Sequence, residues 1–303
     1  MDWNRVEQKI IIMMILSCCG KNKSSPSDSV SFPAIEQKAS LYCELSKPEY
    51  EQNKFVVDEC DGAGFTSLYA MACPNNGVDL SVFQASNGEM FRNPSHDCYP
   101  ERSKAGFSKD HVLMRLVAAV GQGDKEWPAK FLGYVQENNG FFCDAVDTET
   151  KLSRCFLSPF LYEYLNKASG NTSLAGQSDD AWFEKEGFEA HLQVLGIWVR
   201  GKLDGSITNV DLDYLETYAK RERLNAFYQA MAYRYGKASK GDVLNAFNSA
   251  HWPSDRLPSS SVHCSNYLFQ RDMTSTKDWQ PCPDENETYS GTDYSFAAYI
   301  LNK

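Results

Sequence analysis

The chain has 303 residues with a formal net charge of −10 at pH 7, and 13% of its residues are aromatic. This acidic balance argues against nucleic-acid binding, which needs a basic face, and against electrostatic attachment to an anionic membrane surface. The length allows one large domain whose core accounts for most aromatic residues, although rings that line a sugar site would give the same signal.

A short apolar run lies near the start of the chain. Lys9 precedes the apolar residues 10–16, and Ser17 then leads into Cys18. The run is too short for a transmembrane helix, which needs about 20 apolar residues. The pattern resembles the lipobox of bacterial lipoproteins, in which a cysteine thiol is diacylated. It predicts a signal peptide over residues 1–17 and lipidation of Cys18.

A lipid-anchored protein of the bacterial cell envelope is therefore expected. No Asp follows Cys18 to retain the protein at the inner membrane, so the outer membrane is the expected location. The open alternatives are plain secretion, or a cytoplasmic protein whose true start lies downstream, and acylation of Cys19 instead of Cys18 also stays open. Residues 18–38 are rich in Ser, Pro and Lys and predict a flexible tether, followed by a single domain over residues 39–303.

The cysteines support export independently. Ten are present, and the eight beyond residue 19 form an even set, which predicts disulfides in an exported chain. Two local pairs are favoured because each flanks loop-like sequence: Cys143 with Cys155, and Cys264 with Cys282. Each loop would contribute about 3 kcal/mol in the chain-entropy model. No CxxC pair has zinc-finger spacing, so a zinc site is not expected, and the sequence points to no metal or other cofactor. A calcium site built from loop carboxylates such as Asp144 and Asp147 stays open.

Helix signals dominate the chain after residue 107, whereas residues 39–107 are loop-rich and predict one helix near 61–73. Caps and apolar stripes predict further helices that begin at Ser108, Asp124, Ser158, Thr208, Asn225, Ser239 and Thr292. A long helix with Phe188, Leu192, Leu195 and Trp198 along one stripe is predicted as well. Strand alternation is scarce and the connections are short, so successive helices should pack as antiparallel hairpins. The expected fold is mainly α: a disulfide-stapled helical-hairpin array, either an α/α toroid with a central cup or a less regular array.

Three polar residues are candidate catalytic groups. Asp61 precedes Gly62-Ala63-Gly64, where it either caps a helix or takes part in chemistry. Asp110 lies in a first helical turn, where a favourable interaction with the helix dipole is the simpler interpretation. His191 lies on an apolar helix face, as a core histidine or as a general acid, base or ligand in a cavity.

A second group of residues is expected to hold substrate. Arginine and aspartate are adjacent beside aromatic residues at Asp255-Arg256 and at Arg271-Asp272, and Asp293 opens the final helix. Salt bridges that fix long loops are the simpler interpretation. Sugars also require bidentate polar contacts beside flat rings, so these residues and Arg92 are candidate glycan ligands.

Familiar catalytic templates are absent from the sequence. It contains no GxSxG elbow, no HExxH motif and no P-loop, and its five histidines include no i,i+4 pair. A Ser/His/Asp triad stays open, because its members need not be adjacent in sequence.

Several short motifs follow one another between residue 58 and the C-terminus. They are Cys60-Asp61-Gly62-Ala63-Gly64, Phe91-Arg92-Asn93-Pro94, Ser108-Lys109-Asp110, Ala190-His191-Leu192-Gln193, Ser254-Asp255-Arg256-Leu257-Pro258, Phe269-Gln270-Arg271-Asp272, Trp279-Gln280-Pro281-Cys282 and Ser290-Gly291-Thr292-Asp293. In this order they resemble a bacterial and phage protein family without an established activity. The resemblance implies a shared helical scaffold and a shared polar site, but it implies no reaction. Lys109 and Thr292 depart from the family pattern, which has Arg and Gly there.

These patterns lead to one hypothesis and two alternatives. The hypothesis is a monomeric envelope lipoprotein that binds or cleaves a glycan at a polar cup, as a glycoside hydrolase or polysaccharide lyase if it is an enzyme. Asp61 and Asp110 would form the acid/base pair with His191 nearby. The first alternative is a non-catalytic structural or protein-binding lipoprotein. The second is a peptidase or esterase, which needs a Ser or Cys within hydrogen-bond reach of His191.

Overall fold

The computed structural model describes residues 32–56, 62–94, 107–142, 156–171, 190–248 and 291–303. Ten α-helices lie within these ranges, so the predicted mainly α fold is confirmed. They are α1 Pro33–Asn53, α2 Gly62–Ala72, α3 Lys109–Gln122, α4 Glu126–Glu137, α5 Pro159–Ala168, α6 Ala190–Leu203, α7 Asn209–Arg221, α8 Ala226–Arg234, α9 Lys240–Phe247 and α10 Thr292–Leu301. None of these helices combines the length and apolar character that crossing a membrane requires. The described residues from Pro33 onward form one compact unit.

Side-chain caps fix several helix starts where the sequence predicts them. The Ser158 hydroxyl accepts a hydrogen bond from the Leu161 N–H at 3.3 Å, and Pro159 occupies the first helical position. Thr208 and Asp211 form a reciprocal capping box at α7, as predicted. At Ser108 the backbone has the extended conformation of an N-cap, but the side chain makes no cap bond. The Ser108 hydroxyl instead contacts the side chains of Asp110 and His111.

Helix α1 was not predicted. It begins inside the expected tether and continues into the part expected to be loop-rich. Its buried residues, Ile35, Tyr42, Ser46 and Tyr50, are separated by polar stretches, and Pro48 lies inside the helix. The apolar stripe is therefore too sparse to recognise in the sequence. A disulfide between Cys43 and Cys73 ties α1 to the end of α2, with 5.7 Å between the Cα atoms.

Helices α2, α3 and α6 run parallel to one another. Near its start α2 places Gly64 against Met114 of α3, and near its end it places Met71 against Gly121. Trp198 of α6 also packs on Gly121, and Asp110 at the start of α3 interacts electrostatically with His191 at the start of α6. Because contacts progress in the same direction along each helix, these three helices begin at the same end of the molecule.

Helices α8 and α10 continue this parallel set and close it into a ring. The Phe296 ring of α10 lies 6.0 Å from the Trp198 ring and 6.1 Å from the Phe227 ring of α8. Further along both helices, Arg234 of α8 donates to the carbonyl of Ile300 at 3.4 Å. Helix α10 in turn packs along α2, so the ring runs through α2, α3, α6, α8 and α10 and returns to α2.

Outer helices cover the ring in the opposite direction. On α1, Tyr42 packs against Tyr294 near the start of α10, while the earlier Ala39 carbonyl accepts from Ser295. Helices α4 and α7 likewise run antiparallel to α3 and α8. Parallel inner helices with antiparallel outer helices match the hairpin array of the α/α toroid type. All five inner helices therefore direct their N-termini toward one end.

Candidate functional site

Buried polar side chains gather at the end of the ring where the inner helices begin. His111 is the third residue of α3, His191 the second of α6, and Thr292 and Asp293 the first two of α10. Each of these side chains is at most 2% exposed. The five helix N-termini carry partial positive charge, so this end favours anionic groups over cations.

Ser108, Asp110 and His111 form one hydrogen-bonded cluster at the start of α3. The Ser108 hydroxyl contacts both the Asp110 carboxylate and Nδ1 of His111. Nδ1 of His111 lies 3.6 Å from Oδ1 of Asp110. A hydroxyl has a single proton, which an ionised carboxylate must receive because it can only accept. His111 therefore donates from a protonated Nδ1 to the serine oxygen.

The Asp110 carboxyl is held in its ionised form. Burial by itself raises its pKa, but the positive charge of His111, hydrogen bonds from His111 and Ser108, and the charge of His191 outweigh burial. The pKa of Asp110 is therefore well below its usual range. Its side chain keeps 17% exposure, so the cluster can be reached from outside. Asp110 does not suit the proton-donor half of the predicted acid/base pair, and the imidazoles are the better proton carriers.

A close approach between α2 and α3 positions His111. A Cβ atom added at Gly64 would lie 3.4 Å from Cδ2 of His111 and 2.8 Å from Sδ of Met114. Glycine therefore lets the imidazole pack directly on the α2 backbone. The start of α2 is fixed in turn by the Ala63 N–H, which donates to the Arg92 carbonyl at 2.7 Å.

The structure places part of the predicted site at this end. Asp110, His191 and Asp293 lie there, and one carboxylate oxygen of Asp293 accepts from the Tyr294 N–H at 2.9 Å. Arg92 is half-buried and contributes its carbonyl to the first turn of α2. The remaining residues of the prediction lie outside the described ranges: Asp61, Asp255, Arg256, Arg271, Cys18 and the pairs Cys143–Cys155 and Cys264–Cys282.

Sequence analysis did not place Ser108 or His111 among the candidate site residues. His111 follows Asp110 directly and lies three positions after Ser108, a spacing that places it in the same first turn. That spacing was a usable signal for the Ser108–His111 contact. Within the described ranges, no three side chains of His, Cys, Asp or Glu are grouped in the manner of metal ligands.

Comparison of the chain with protein-family models, with curated proteins and with solved structures gave no match. The resemblance drawn from the short motifs therefore stays a prediction. The interpretation of the site rests on its own geometry and chemistry.

Proposed function

We propose that the protein is an envelope lipoprotein that binds a glycan at the N-terminal end of the ring and cleaves it by acid–base catalysis. One observation carries the proposal: an ionised, largely buried Asp110 interacts with His111 and His191 where the inner helices begin. Histidine is the side chain best suited to exchange protons near neutral pH. A carboxylate beside an imidazole orients the ring and stabilises its charged form.

The described groups favour elimination over hydrolysis. Hydrolysis of a glycosidic bond uses two carboxyl groups, one of which donates a proton, and Asp110 is held without one. In elimination, an imidazole removes the proton beside the carboxylate of a uronic acid, and the bond to the leaving oxygen breaks as a carbon–carbon double bond forms. A second imidazole protonates that oxygen. Helix N-termini would stabilise the negative charge that develops on the carboxylate. The substrate class is then a glycan that contains uronic acid.

A direct assay tests the activity. The purified chain would be incubated with peptidoglycan, lipopolysaccharide, capsule preparations and a polyuronate, while reducing ends and the ultraviolet absorbance of unsaturated uronate are monitored. We expect both signals to rise, and to rise at least tenfold more slowly with Asp110→Asn. Asp242→Asn is the matched control, because Asp242 also lies in a first helical turn, that of α9, but its side chain is exposed. If reducing ends appear without the absorbance of unsaturated uronate, the reaction is hydrolysis and not elimination. If no product is released from any glycan, the catalytic proposal is overturned.

A non-catalytic, protein-binding role is the second candidate, and a pair of exposed rings favours it. Phe141 is 39% exposed and Phe156 is 51% exposed, with ring centroids 5.6 Å apart. Paired exposed aromatics are typical of interaction surfaces. If that role is correct, the glycan assay gives no product and Phe141→Ser abolishes capture of an envelope protein.

The envelope location is part of the same proposal and has its own test. The lipobox-like sequence and the Cys43–Cys73 disulfide support an oxidising compartment outside the cytosol. Cells that express the chain with labelled palmitate should yield labelled protein in the membrane fraction. Cys18→Ala should remove the label, whereas Cys19→Ala should keep it. If Cys18→Ala keeps the label and Cys19→Ala loses it, the acylated residue is Cys19 instead of Cys18.

A further inference from the structure

A cavity of about 260 Å³ lies between the loop at residues 78–84, the outer side of α3 and the start of α4. Its rim reaches Gln122 at the end of α3. None of Ser108, Asp110, His111 and His191 lines it, and the nearest wall residue of α3, Arg115, lies five residues from Asp110, about 7.5 Å along the helix axis. The cavity is therefore distinct from the cluster at the N-terminal end of the ring.

Arg115 is the most unusual group in its wall. The side chain is only 5% exposed, and Nη2 donates to Oδ2 of Asp124 at 2.9 Å. Nε and Nη1 find no hydrogen-bond acceptor among the residues that the structure describes. The guanidinium carbon also lies 4.7 Å from the centre of the Trp127 ring, which holds the group in place. Buried N–H donors without acceptors are costly, so a ligand oxygen that reached them would be bound favourably.

The charges around the cavity exclude a simple anion. Arg115 is balanced by Asp124, and Lys130 forms an ion pair with Glu126 at 2.7 Å. The remaining carboxylate, Asp79, stays ionised because hydrogen bonds from Ser81 lower its pKa. Two cations thus face three carboxylates, and the excess charge is negative.

We propose that this cavity binds one neutral, hydroxyl-rich ring, a single sugar unit of a glycan. A hydroxyl group both donates and accepts, so it can bind an arginine N–H and a carboxylate at once. Asp79 and Glu126 offer acceptors, while Arg115 and Gln122 offer donors. The volume lies just below the range of about 300–1,000 Å³ that holds drug-sized ligands, which limits the occupant to about one ring. The inference rests on the proposed function for its ligand class, but it assigns a separate binding site.

Sugar binding to the full chain tests this assignment. Glucose, galactose, mannose and N-acetylglucosamine would be titrated separately, and binding followed by calorimetry and by ligand-observed nuclear magnetic resonance. Gln122→Trp should fill the cavity from its exposed rim, and Arg115→Met should remove the donors while it preserves most of the side-chain volume. We expect each to weaken binding at least tenfold. Gln136→Trp, at an exposed glutamine near the end of α4, is the control and should bind like the wild type.

Two outcomes would overturn the assignment: no saturable binding of any of these sugars by the wild type, or unchanged affinity in Gln122→Trp. If Arg115→Met fails to fold, Gln122→Trp still decides, because an exposed helix end tolerates substitution. A chain that cleaves a glycan but binds none of these sugars fails only this assignment, and a chain that binds them but cleaves no glycan fails only the catalytic proposal. Failure of the catalytic proposal and failure of this binding site are therefore separate results.

Discussion

The Asp110 carboxylate and the His111 imidazole meet on one hydroxyl, that of Ser108, within a single helical turn. Nδ1 and Oδ1 lie 3.6 Å apart, and the histidine is 1% exposed. This arrangement stabilises the Asp110 carboxylate through three factors: a helix N-terminus, a bridging hydroxyl and exclusion of water. It also explains how a charged carboxylate persists beside a helical core.

The depressed pKa of Asp110 makes stability depend on pH. The ionised form is favoured in the folded state, so its contribution is present above the unfolded value, about 3.9, and is lost as pH falls toward the folded value. Asp110→Asn should lower the free energy of unfolding by about 1–3 kcal/mol at pH 7. Urea unfolding from pH 7 down to about pH 2 should show a constant difference between the two proteins above about pH 4 and a narrowing difference below it. A difference that stays constant over this range would contradict the charge-based explanation.

Two capping boxes offer a matched comparison of buried and exposed aspartates. Asp211 is 2% exposed and accepts from Nη1 of Arg200 at 2.6 Å, whereas Asp242 caps α9 at the surface. Asp211→Ala leaves Arg200 buried without its carboxylate, which costs about 3–5 kcal/mol. Asp242→Ala removes only a cap and should cost about 1 kcal/mol. Similar urea midpoints for Asp211→Ala and Asp242→Ala would show that the buried Arg200–Asp211 ion pair adds little to the free energy of unfolding.

Gly64 should be intolerant of a methyl group. Its Cβ would lie 2.8 Å from Sδ of Met114, so Gly64→Ala forces that buried side chain to shift and should lower the free energy of unfolding by about 1–3 kcal/mol. The added Cβ would meet His111 only at an ordinary contact distance of 3.4 Å. Gly133→Ala in α4 is the control, since nothing lies within 4 Å of its added Cβ. That change should raise the free energy of unfolding by about 0.5–1 kcal/mol, as expected for a helical glycine. Equal effects of the two substitutions would remove the steric argument.

The sequence predicts the helices well where apolar stripes and caps coincide, as at Ser158 and Thr208. It misses α1 because four buried residues spread over 21 do not form a visible stripe. The ring could not be derived, since the parallel order of helices depends on contacts between residues far apart in sequence, such as Trp198 with Phe296. The same limit applies to Arg115, because its cavity depends on the loop at residues 78–84.

The Cys43–Cys73 disulfide was not among the predicted pairs, because the two residues lie 30 positions apart and belong to different helices. It joins α1 to α2, and a cross-link of this span should contribute about 2–4 kcal/mol. Cys43→Ser with Cys73→Ser should therefore lower the urea midpoint.

The wild type in a reducing agent should show the same loss, provided that the other cysteines are blocked beforehand under non-denaturing conditions. Thiol titration of protein isolated from its own cells decides whether the bond forms there. Free thiols at both positions would contradict export from the cytosol. If Cys43 and Cys73 do not react with the thiol reagent, the disulfide forms in the cell, which agrees with export because the cytosol keeps such thiols reduced.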